Sequence, residues 1–197
     1  LTNPTTCVAA IAIILFSFPW SEAGARPNRH SFTFPGKPAS VSSQSGALSA
    51  RYSDPGVNPD GIHEDRFSIA DANGRELVGF SFLRSVRGAW SADKDTLFVN
   101  NFTGSNDSDC LVTRTSNETV RLVSLTDILI NDPHSGPVEV GKIKPPENPG
   151  NSHYYLRCEK WLSPSMIAVI LDGHTDAGGY FKYQFHYNVD KKRFDLK

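Results

Sequence analysis

The chain has 197 residues, with 20 Lys+Arg against 21 Asp+Glu for a formal charge of −1, and 39% of its residues are hydrophobic. That length makes one ordinary globular domain able to bury a core, and 15 Gly with 13 Pro are too few for a collagen-like or disordered chain. Near-neutrality excludes a bulk electrostatic pull toward nucleic acid or anionic lipid.

Residues 8–18 (VAAIAIILFSF) form an uncharged apolar run. It has the length of a signal-peptide core and is too short for the roughly 20 residues that span a bilayer. Ala23, Gly24 and Ala25 then give a small-x-small cleavage site, so residues 1–25 are expected to be removed after Ala25. Export to a secreted, periplasmic or cell-envelope location follows, with no membrane span after the leader is gone. The chain opens on Leu1 and has no Lys or Arg before the apolar run, which points to a truncated or misassigned start. A buried N-terminal helix is the alternative, but Pro4 and Pro19 bound the run. Cys7 precedes the run and so is not a lipoprotein cysteine.

Cleavage leaves Cys110 and Cys158, whose parity in an oxidising compartment predicts a disulfide closing roughly 48 residues, worth on the order of 4 kcal/mol in the chain-entropy model. Two unrelated buried thiols are the alternative. Two sulfurs at this spacing exclude a redox pair or a zinc-thiolate site.

Residues 26–45 are rich in Pro, Ser and Gly and read as a tether or extended first strand, leaving 46–197 as a single β domain. From there the period is two. Residues 66–71 and 76–82 flank an Asp71-Ala-Asn-Gly74 turn and predict a hairpin. Residues 96–100, 110–113, 119–125, 154–158, 167–171, 180–189 and 193–196 are further strand candidates. Residues 122–130 are the one plausible short helical turn. The fold class is therefore all-β.

Using the tryptophans as anchors, residues 90–99 (WSADKDTLFV) align with 161–169 (WLSPSMIAV), and more faintly with 41–50 (VSSQSGALSA). A polar Gly-bearing turn follows each (54–65, 103–109, 172–179), then a strand, a second turn and another strand. Each unit is thus an antiparallel four-stranded meander of roughly 40 residues, about three in all, interrupted by a Pro/Gly/Asn-rich excursion over 127–152. The motif resembles the blade of TolB-like and WD40-like β-propellers, in which W-S-P-D-G-K opens a strand. That resemblance implies propeller-blade-like packing. A generic antiparallel sandwich or open meander is the other architecture. An oligomer is one way to cover the sheet edges.

Among motifs, residues 136–143 mimic a phosphate-binding loop, but Ile143 stands where a hydroxyl must bind magnesium, and Pro137 removes an amide donor. Asp54, Asn58, Asp60, Glu64 and Asp65 crowd one turn, and Asn106, Asp107 and Asp109 another. Hard oxygens close together suit calcium, although neither segment has the EF-hand register, and polar turns capping strands are the plainer expectation. Asn101, Asn106 and Asn117 open acceptor sequons at about the frequency chance gives.

Gly173-His174-Thr175-Asp176 resembles the G-H-T-D motif of peptidoglycan-binding OmpA-like domains, which implies a peptidoglycan-associated envelope protein. The residues read by themselves give a β-turn with His174 and Asp176 as turn-bonding side chains. No metalloprotease or nucleophile-elbow motif occurs, so no catalytic or metal residue is assigned. A secreted hydrolase would need a triad assembled in space, such as Ser163, His174 and Asp172. The aromatic residues of 180–187 are expected to pack in a core.

These features lead to an exported non-enzymatic β protein presenting loops to a protein or glycan. Asp54, Asp60, Glu64, Asp107, Asp109, His174 and Asp176 are its candidate binding residues, with no cofactor beyond a calcium ion. The three polar turns occupy equivalent places in the repeat and should emerge on one side of the molecule.

Overall fold

Alternating apolar and polar residues commit one face of a strand to a core, and strands buried on both faces become continuous apolar runs. Both patterns occur in the computed structural model, which describes residues 30–104, 107–116, 119–131, 153–174 and 179–196. The leader with its Ala25 cleavage site lies outside the described residues. So do 132–152 of the excursion, with the phosphate-loop mimic, and Asn106, Asn117 and Asp176.

The chain is all-β, built from three successive antiparallel four-stranded meanders. The first is β2 (Ser40–Ser42), β3 (Leu48–Ser53), β4 (Asp65–Asp71) and β5 (Glu76–Phe82), a sheet of its own. The second is β6 (Ser85–Trp90), β7 (Leu97–Phe102), β8 (Asp107–Ser116) and β9 (Thr119–Ser124). The third is β10 (Tyr154–Ser163), β11 (Met166–His174), β12 (Tyr180–Asn188) and β13 (Arg193–Leu196). β8 forks: residues 111–116 pair with β9, while Asp107 and Ser108 pair in parallel with Tyr154 and Tyr155 of β10, joining the second and third meanders in one sheet. No strand of the first meander pairs with a strand of the third among the described residues.

The stretch expected as a tether or extended first strand carries strands. It supplies β2 and, before it, β1 (Ser31–Phe34), which extends the second meander by pairing with β6. Phe32 and Phe34 on β1 are buried and stack on each other at 4.6 Å. The Pro and Ser content around them masks a four-residue alternation, SFTF, that is too short to stand out.

Two cores separate the meanders. Phe34, Phe67, Ile69, Trp90, Leu97 and Val99 fill the space between the first and second, and Phe98, Cys110, Leu156, Val169, Leu171 and Phe185 the space between the second and third. β7 serves both, which is why its Leu97–Asn100 run is buried throughout. The disulfide joins Cys110 of β8 to Cys158 of β10 with Cα atoms 5.8 Å apart. Beside it Asn100 donates to the Cys158 carbonyl and accepts from the Cys158 N–H, both at 2.8 Å, so a side chain supplies the pairing that β7 and β10 backbones are too far apart to make.

After β9 comes α1 (Leu125–Asn131), a single short helix near the helical turn that 122–130 suggested. Ser124 caps it by accepting the Asp127 N–H at 2.9 Å, and Leu125 with Leu129 anchor it in the second core. No helix among the described residues is long and apolar enough to cross a membrane.

The anchors that defined the repeat play matching parts. Trp90 donates its indole N–H to the Val41 carbonyl at 2.9 Å, and Trp161 donates to the Ala89 carbonyl at 2.8 Å. Each thus binds the first strand of the preceding meander. Their burial differs: Trp90 is fully buried, whereas Trp161 is only half-buried. Register shifts on both sides of Trp161 in β10 leave its ring against Phe98 at 5.8 Å but open on the other side.

Candidate functional site

Hydrogen bonds between units fix which loops share an end. Ser45 donates to Asp95, Ser91 to the Pro164 carbonyl, and Lys94 to Asp190, all from turns next to the first-to-second-strand connections or, for Asp190, the last turn. The second strands β3, β7 and β11 all leave that end. Their far ends, with Asp54 after β3, Thr103 after β7 and His174 closing β11, therefore lie at the opposite end.

The expected binding residues do not act as one set there. Asp107 is exposed and accepts from Thr103 at 3.2 Å. Asp109 turns inward, where one oxygen accepts the Thr126 N–H at 3.2 Å and the Thr126 hydroxyl at 2.8 Å, fastening α1 to β8. Burial pushes its carboxyl above the usual range, against the lowering effect of Ser124 and Thr126. Burial, with the charges of Asp109 and Asp107, also raises the Tyr154 phenol. His174 ends β11 with its ring 5.7 Å from His153 and 5.5 Å from Tyr180. Ser163 lies at the turn between β10 and β11, whereas Asp172 and His174 close β11's far end. At about 3.3 Å per residue along a strand, that puts Ser163 roughly 20 Å from Asp172 and farther still from His174.

In the first polar turn, Asn58 folds the chain back. Its Oδ1 accepts the N–H groups of Asp60 and Ile62 at 3.0 and 2.9 Å, and Val57 bridges to His63. Asp60 is thereby held exposed near the tip, and Glu64 is half-buried. The fold-back returns His63 to Asp54 and to Asp65, the first residue of β4: Nε2 lies 3.6 Å from Asp54 Oδ1 and 3.5 Å from Asp65 Oδ1. Tyr52 donates to Asp65 Oδ1 at 2.9 Å, and that bond, ahead of burial and the carboxylate charges, holds its phenol above the ordinary range. His63 does not stand out in the sequence because the oxygen donors around it dominate this turn.

A larger feature escaped the sequence altogether. A groove of about 1040 Å³ is lined by β1, the connection after it, β6 and β7, together with residues of β10, β11 and β12. Lys37, Arg84, Arg87, Arg157 and Lys182 line it, opposed, among the described residues, by the carboxylate of Glu159 alone. The Arg87 guanidinium lies 5.5 Å from the Phe102 ring centroid, and Arg157 donates to Asp172 at 2.8 Å. No carboxylate among the described residues pairs with Lys37, Arg84, Arg87 or Lys182. The wall is rigid: Asn100 is locked onto Cys158, and a Cβ on Gly88 would lie 2.5 Å from both the Phe32 ring and the Phe98 carbonyl. In a chain of net charge −1, this is a local concentration of positive charge on a braced scaffold.

No known protein family, curated protein or solved structure matches the chain.

Proposed function

We propose that this chain is an exported β protein that binds an acidic oligosaccharide in the cationic groove. The observation that carries the reading is the excess of cations over carboxylates in a concave site of ligand-accommodating volume. Like charges gathered this way repel one another, and an anionic ligand relieves the repulsion while gaining charge-assisted hydrogen bonds. Phe102, half-buried beside Arg87, offers apolar surface to the C–H face of a sugar ring. The disulfide supports an oxidising compartment, in line with the leader of residues 1–25.

The test is titration calorimetry with a sulfated dextran oligosaccharide and with uncharged dextran of the same length. The sulfated probe is expected to bind the full chain. Arg87→Ala combined with Lys182→Ala should weaken that binding by about tenfold or more, equivalent to about 1.4 kcal/mol. Arg193→Ala, at a position paired with Asp195 and outside the groove, should leave it unchanged. Equal binding of the two probes, or indifference to the groove variants, would overturn the reading.

A further inference from the structure

The turn between β3 and β4 brings together three side chains that the groove does not use. Asp54, His63 and Asp65 each present a ligand atom, and these atoms lie within 4.8 Å of one another. We propose that they form a binding site for a zinc-type divalent cation, with Asp54 Oδ1, His63 Nε2 and Asp65 Oδ1 as its protein ligands.

The distances fit a shared cation better than direct hydrogen bonds between the side chains. At 3.6 and 3.5 Å the imidazole nitrogen is too far from either carboxylate for a good hydrogen bond. Bonds of 2.0–2.1 Å to a tetrahedral zinc ion place neighbouring ligand atoms about 3.3–3.4 Å apart, close to the two separations observed. A cation between the three atoms thus needs only a small adjustment of Asp54, whose side chain is half exposed.

Charge points the same way. Asp65 is only 7% exposed, yet no Lys or Arg among the described residues pairs with it. A carboxylate removed from water needs a compensating charge, and a second carboxylate alongside increases that need. The site is also built in advance of any ion. The Asn58 bonds return His63 to its place, the Gly56 N–H donates to Asp54 Oδ1 at 2.8 Å, and the Tyr52 hydroxyl donates to Asp65 Oδ1 at 2.9 Å, each fixing a ligand oxygen that keeps a second lone pair for the ion. Such outer partners fix the direction of a metal ligand.

The donor set selects the ion. Calcium takes six to eight oxygens, whereas two carboxylates with one imidazole suit zinc and leave a position for water. This proposal stands independently of the groove reading.

The experiment is calorimetric titration of the chelator-treated full chain with zinc chloride, alongside cobalt(II) as a visible-absorption probe. Saturable uptake of one equivalent is expected, with the intense visible bands of tetrahedral cobalt and no displacement by a large excess of calcium. His63→Ala should abolish that uptake, Asp54→Asn should weaken it, and Tyr52→Phe should weaken it by about 10–100-fold as an orienting partner. Because His63 and Asp54 are both exposed, these variants should keep their fold, which far-UV circular dichroism checks. Absence of one-to-one uptake, uptake unaltered in both His63→Ala and Asp54→Asn, or displacement by calcium would each overturn the proposal.

Discussion

Trp90 and Trp161 stand at equivalent places but are enclosed to different degrees, and their energetic weight should differ accordingly. Trp90 is fully buried and its indole N–H is satisfied by Val41, so Trp90→Ala removes on the order of 200 Å² of buried surface together with a hydrogen bond. We expect a loss of about 3–5 kcal/mol in urea unfolding, and a clearly smaller one for Trp161→Ala. Asp109 gives a pH signature. Its folded pKa is raised, so between that value and the ordinary carboxylate value the native state holds more protons than the unfolded one. Its ionisation therefore costs stability in full above the folded pKa, and the cost fades as pH falls through that window. Urea midpoints from pH 7 to pH 4 should show the parent chain gaining on Asp109→Asn as the pH drops; a constant difference would contradict the assignment. The tryptophans were legible because their spacing to the next apolar run repeats. The inward turn of Asp109 was not legible, since its partner Thr126 arrives only after β9 has been laid beside β8.

At the level of strands, the sequence is most informative where alternation runs long. The hairpin of β4 and β5 is legible residue by residue, whereas β6, SVRGAW, is too mixed to stand out although its Val86 and Trp90 face one core. Gly88 interrupts the apolar face between them to admit the Phe32 ring, while Arg87 lies on the opposite face of the strand and lines the groove. The disulfide was predicted by counting and is now placed at the fork of β8, where β9 and β10 part. Replacing both cysteines with alanine should lower stability by about 4 kcal/mol in urea unfolding, through the freed loop of the unfolded chain. The fold should survive, because the two Asn100 hydrogen bonds still hold β10 to β7.

For the molecule as a whole, the repeat carried most of the architecture, and the three meanders follow one another in the order the anchors suggested. The groove stayed hidden because its cations are spread from Lys37 to Lys182 and meet only after the meanders have packed. Composition averages over such a feature, which is why a balanced charge count concealed a one-sided field. Binding of the sulfated probe should accordingly weaken as salt is added, since the Debye length shrinks from about 10 Å at 0.1 M to about 3 Å at 1 M. The bridge from β8 to β10 has one more effect. It ties the part of the chain before Asn131 to the part after His153, so a protease cutting within residues 132–152 would break a peptide bond without producing two molecules. Over that stretch the protein's covalent integrity passes from the backbone to a sulfur bond, and separating its halves requires a reductant as well as an enzyme.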